Sequence, residues 1–136
     1  MYELLKQIKV NLQTTPRYLY SFRAFCIGLL VFGLLFALSR DPLPFMEGIQ
    51  MGDKILHASA FFIFAALFHL AWSRSFWLYV FLPLLAYGGL IEILQGMTTW
   101  RSMSWGDVVA DAVGILLYYA VYKLISTRSP KPLANT

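Results

Sequence analysis

The sequence predicts an all-α membrane protein: a four-transmembrane-helix bundle behind a short N-terminal amphipathic helix, with both termini cytoplasmic. Three observations predict it. The chain is 59% hydrophobic and only 13% charged, against about 25% charged residues in soluble domains, and its mean hydropathy is +0.62. Its apolar residues gather into four runs of the length a helix needs to cross hydrocarbon, about 20 residues. Its basic residues collect on one side of those runs, as the positive-inside rule requires. The chain therefore divides into an N-terminal cytoplasmic segment (1–17), a four-helix transmembrane domain (18–125) and a disordered cytoplasmic tail (126–136).

In Tyr2 to Gln13, Leu5, Ile8 and Leu12 recur at helical spacing with Lys6 and Lys9 elsewhere on the wheel. That pattern suits a helix lying on an anionic membrane surface; a frayed, solvated leader is the alternative. It does not suit a signal peptide, because the apolar run starts too late and no small-residue cleavage site follows. The first span is read over Tyr18 to Leu38. Its uncharged core, Ala24 to Ser39, covers about 24 Å at 1.5 Å per residue, and Arg23 can extend it by snorkelling to the interface. Arg40 to Asp53, with two prolines, two glycines and mixed charge, reads as an extramembrane loop.

The second span is read over Lys54 to Ser73 and ends at Arg74. The third runs over Phe76 to Met97, with Pro83 near its middle as a kink that neighbouring helices tolerate. Gly88 and Gly89 offer close helix approach. The fourth runs over Trp105 to Ile125, where Gly106, Ala110 and Gly114 form a small-residue ridge. Lys6, Lys9, Arg17, Arg23, Arg74, Lys123, Arg128 and Lys131 fall on one side of these spans, and only Arg40, Lys54 and Arg101 on the other. The net charge of +4 is thus a topology signal, and no nucleic-acid partner is expected. Trp72 and Trp77 flank the inner loop and Trp100 and Trp105 an outer one, as interfacial belts do. The single cysteine, Cys26, excludes an internal disulfide and suggests no thiolate metal site.

In this orientation the intramembrane polar residues fall near the outer face. His57 stands one turn below Asp53; Glu92 and Gln95 share a face of the third helix; Asp107 and Asp111 are one turn apart on the fourth. Lys54 and Arg101 are the cations at the rim. A charge in hydrocarbon costs about 2.5–3.5 kcal/mol on insertion scales, so such residues persist where they face a wet cavity or a partner. Asp53 and Asp107 lie at helix ends and could serve the interface or the helix dipole alone. Glu92 and Asp111 have apolar sequence on both sides and point to a specific role. His69, at the inner end of the second helix, reads as structural.

The order Asp53-Lys54-x-x-His57, then Glu92-x-x-Gln95, then Arg101, then Asp107, each at a separate helix end, resembles the VanZ-like family of small bacterial membrane proteins over residues 40 to 122. The family prototype is linked to low-level resistance to teicoplanin, a glycopeptide that binds cell-wall precursors. The resemblance implies a polar site of Asp53, Lys54, His57, Glu92, Gln95, Arg101 and Asp107. Asp111 departs from it, since that position is often asparagine in the family.

The expected protein is a multi-pass component of the bacterial cytoplasmic (inner) membrane. Its outward-facing cavity would bind a lipid or lipid-linked envelope precursor through Asp53, Lys54, His57, Glu92, Gln95, Arg101, Asp107 and Asp111. Carboxylates suit amines, and Lys54 and Arg101 suit phosphates. Glycopeptide resistance and envelope homeostasis are the corresponding physiological roles. No cofactor and no metal ion is assigned. The alternative is a membrane enzyme acting on a lipid headgroup, with His57 as base or metal ligand. In that case an oxygen-rich site with one histidine suits hard cations and leaves transition metals open. No H-E-x-x-H, G-x-S-x-G or phosphate-loop pattern supports catalysis, although Ser102 and Ser104 are potential nucleophiles. An ion pathway is disfavoured, because the polar stripes stop in the outer half.

Overall fold

The computed structural model describes residues 2–40, 51–72 and 75–127. They form five α-helices: α1 (Tyr2–Thr14), α2 (Pro16–Ala37), α3 (Gly52–Ala71), α4 (Leu82–Gly96) and α5 (Trp105–Thr127), with no strand among the described residues. Four stretches are long and apolar enough to cross a membrane: Pro16–Ala37, Gly52–Ala71, Trp77–Gly96 and Trp105–Thr127. The first two residues of the expected tail, Ser126 and Thr127, are helical and end α5; the rest of it, most of the first loop, and Arg74 lie outside the described residues.

The third crossing departs from the expected simple kink. Pro83 has no N–H and its ring would strike the carbonyl four residues earlier in an α-helix. The chain meets this with a π-helical turn over Trp77–Phe81, in which the Leu82 N–H donates to the Trp77 carbonyl, five residues back. Wide turns of this kind occur mostly as single bulges within helices.

The tightest seam joins α3 and α5, and the small-residue ridge explains it. A methyl group on Gly114 would collide with the Ala58 backbone carbonyl, and one on Gly106 would stand 2.7 Å from Lys54 Cε. Gly88 likewise admits the Asp111 carboxylate and the Phe61 ring. Gly89 corrects the sequence reading: it faces open space and mediates no approach. Phe61, Ala65, Phe68, Val80, Leu84, Ile91 and Ile115 make the buried core.

By contrast, α2 is hung on the bundle. Phe25, Val31, Phe32 and Leu35 are exposed; three side chains of the bundle reach its flank or its end, and one of its own reaches back. Tyr87 Oη donates to the Leu30 carbonyl (2.5 Å), Gln95 Nε2 to Ala37 (2.8 Å) and Trp100 Nε1 to Leu38 (3.2 Å). At the opposite end Arg23 Nε donates to the last α3 carbonyl, Ala71 (3.1 Å), with its guanidinium 5.4 Å from the centre of the Trp72 ring. Arg23 thus caps a helix C-terminus, a favourable place for a cation, where the sequence suggested snorkelling. At that same end His69 Nδ1 lies 2.9 Å from the Tyr118 hydroxyl and its ring packs on Phe76 and Tyr122. This structural role has a polar partner that the α3 stripe alone did not reveal.

Candidate functional site

Four chain positions converge at the end of the bundle where α2 ends and α3 begins: the start of α3, the end of α4, the α4–α5 connection and the start of α5. Because α3 enters there, Asp53, Lys54 and His57 lie on its first two turns. Met51 precedes it with a φ of 67°, a left-handed conformation uncommon outside glycine.

The centre is an imidazole between two buried carboxylates. His57 Nδ1 lies 2.8 Å from Asp111 Oδ1, and His57 Nε2 lies 3.9 Å from Glu92 Oε1. Glu92 and Asp111 are each 0% exposed. The other Glu92 oxygen accepts the Ser104 backbone N–H at 2.6 Å, which ties the α4–α5 connection over the site. Around this centre two ion pairs form the rim: Lys54 Nζ to Asp107 Oδ1 at 3.0 Å, and Arg101 Nη1 to Asp53 Oδ2 at a longer 3.5 Å. Asp107 sits in the first turn of α5, where a carboxylate also complements the helix dipole.

Three buried polar atoms lack a hydrogen-bond partner among the described residues: Glu92 Oε1, Asp111 Oδ2 and Arg101 Nε. Buried polar groups are ordinarily paired, so these mark capacity that the side chains do not use among themselves. Four carboxyl groups (Asp53, Glu92, Asp107, Asp111) face two cations (Lys54, Arg101), so with all four ionised and the imidazole neutral two negative charges are in excess.

Two cavities meet at this end. A polar basin of about 350 Å3 is bounded by Asp53, Lys54, Arg101, Ser102, Ser104 and Asp107. An apolar groove of about 260 Å3 runs between α2 and α3, past Phe36, Gly33, Ala60 and Phe64. From Asp53 to Phe64 it follows α3 for about 16 Å at 1.5 Å per residue. Asp53, Gln95 and Arg101 line both cavities.

The family model described as VanZ/LLP1 matches residues 5–126. The chain belongs to the VanZ/LLP1 family. The match extends beyond residues 40–122, where the motif resemblance lay, and takes in α2, the helix that walls the groove. No curated protein and no solved structure matches this VanZ/LLP1 chain. Its four apolar helices and its family make it a multi-pass membrane protein.

Of the residues singled out in sequence, Asp53, Lys54, His57, Glu92, Arg101, Asp107 and Asp111 come together in this VanZ/LLP1 bundle through the contacts above. Gln95 differs. Its amide shares a helix face with Glu92, but it turns across the groove to Ala37 on α2. A helical face three residues wide covers both directions, and only packing decides between them. The Ser104 N–H and the α2 wall of the groove escaped sequence reasoning: a backbone donor has no residue signature, and the stretch of α2 along the groove, 29–37, is uniformly apolar.

Proposed function

We propose that this protein binds an amphiphile with an anionic headgroup, a lipid or lipid-linked envelope precursor, with the head in the basin and a hydrocarbon chain in the groove. The observation that carries the reading is the shared wall: Asp53, Gln95 and Arg101 border both the polar basin and the apolar groove. One molecule with a polar end and an apolar end fits both. Arg101 supplies forked donors suited to phosphate or carboxylate, and its Nε has no partner among the described residues. On the topology expected from the basic residues, the basin faces outward from the bacterial cytoplasmic membrane. A role in envelope homeostasis or teicoplanin-type resistance then follows if the head belongs to a wall precursor.

The test is lipid retention by native mass spectrometry after purification from membranes. Ala60→Trp fills the groove and Arg101→Gln weakens the basin, and each should lower retention while the protein still folds. Retention unchanged in both variants would overturn the reading.

A specific observation favours a second reading, an enzyme acting on the same headgroup. Asp111 fixes the His57 imidazole at Nδ1 and leaves Nε2 towards Glu92, the arrangement of an oriented general base. Glu92→Gln that keeps lipid retention but abolishes conversion of a bound lipid would select it. Retention lost in that variant, with no conversion by the wild type, would select binding alone.

A further inference from the structure

We infer that Asp53, His57 and Asp107, with the Glu92 carboxylate beside His57, form a binding site for one divalent cation of the Mn2+/Zn2+ class. Sequence reasoning assigned no metal and named His57 as a metal ligand only under the alternative of a membrane enzyme. One ligand atom from each of Asp53, His57 and Asp107 lies within 4.8 Å of the others. Donors bound at about 2.0–2.2 Å span up to about 4.4 Å across one ion, so small side-chain movements close the set.

Three independent observations point the same way. Glu92 is wholly buried, and its Oε1 lies 3.9 Å from His57 Nε2 without a hydrogen-bond partner among the described residues. The other imidazole nitrogen, Nδ1, is held by Asp111 at 2.8 Å. Metal-binding histidines are oriented in this way, by a carboxylate on the nitrogen away from the ion. Finally, with all four carboxyls ionised, the excess of two negative charges equals the charge of one such ion. Two carboxylates and one imidazole mix hard and borderline donors, which favours Mn2+ or Zn2+ over Mg2+ or Ca2+.

Lys54 has a definite place in this arrangement. Its ammonium rests on Asp107 at 3.0 Å, along the passage left by Gly106. It is the built-in cation that an arriving ion displaces from Asp107. The ion would also offer an anionic headgroup a second positive partner beside Arg101; this last consequence alone rests on the function proposed above.

The experiment uses the full chain in lipid-free detergent, stripped with chelator and titrated with Mn2+, read by electron paramagnetic resonance and elemental analysis. One equivalent is expected to bind, with Zn2+ competing. Asp111→Asn, a positioning change, should weaken Mn2+ affinity about 10- to 100-fold. Lys54→Met should strengthen it by up to about fivefold, the worth of a partly exposed ion pair. That gain cannot be produced by misfolding. No saturable Mn2+ binding by the wild type overturns the inference, and so does affinity in Lys54→Met that stays level or falls. Saturable Mn2+ binding together with lipid retention indifferent to Ala60→Trp and Arg101→Gln would leave the cation site standing and remove only the lipid.

Discussion

The Asp111 carboxylate occupies the space that a methyl group on Gly88 would need. One glycine on α4 therefore sets how deeply the carboxylate of α5 can enter, and with it the position of His57. Gly88→Ala should destabilise the bundle by about 1–3 kcal/mol, the usual cost of overpacking, and shift the His57 ring resonances in NMR. Its neighbour is the control: Gly89 faces open space, and Gly89→Ala should leave the melting temperature in detergent within a degree or two.

A larger loss is expected at Gly114. There the obstacle to a methyl group is the Ala58 backbone rather than a side-chain tip, so α3 and α5 must separate along their main seam. Gly114→Ala should melt well below Gly88→Ala, and a Tm at or above that of Gly88→Ala would mean the seam is softer than its geometry implies.

The His57–Asp111 pair gives a double-variant test. His57→Ala removes the hydrogen-bond partner of a carboxylate that is 0% exposed, and breaking a buried pair costs about 3–5 kcal/mol. Adding Asp111→Asn removes the stranded charge, so the double variant should recover much of that loss. Additive effects in the cycle would show that the two side chains do not depend on each other.

The hold on α2 is polar and divisible. Tyr87→Phe deletes only the hydroxyl that reaches Leu30, worth about 0.5–1.5 kcal/mol, and should widen the distance distribution between spin labels on α2 and α3. Gln95→Leu should act at the other end of the same groove. Unchanged distributions in both would mean that apolar contacts alone position α2.

Orientation is tested by cysteine labelling in a Cys26→Ala background. An impermeant reagent should label Thr99→Cys and not Asn135→Cys in intact cells. The opposite result would turn the basin towards the cytoplasm.

The four crossings were legible because each is an apolar run punctuated by polar or breaking residues, and the observed helices begin and end within about two residues of the expected bounds. The site was legible for a related reason: Glu92 and Asp111 stand alone in apolar sequence, and burial of such groups requires company. The pairing was not legible. Lys54 could have reached several carboxylates, and which one it meets depends on Gly106 leaving a passage on α5. The direction of Gln95 was hidden likewise, because its partner is a carbonyl on a helix with no polar side chain nearby. Spacing within a helix reports its faces; rotation against the neighbours decides what each face meets.

The groove beside α2 never closes. Phe32 and Ile63, 65% and 56% exposed, are its lips, and they border the surface that hydrocarbon would cover. A chain lying there can leave the protein part-way along its length and continue among its fellows in the bilayer. Nothing in such a trough measures how long that chain is or how it ends. If the groove takes a hydrocarbon chain as proposed, selectivity falls to the head, and tails of different organisms or growth conditions could be exchanged without retuning the protein.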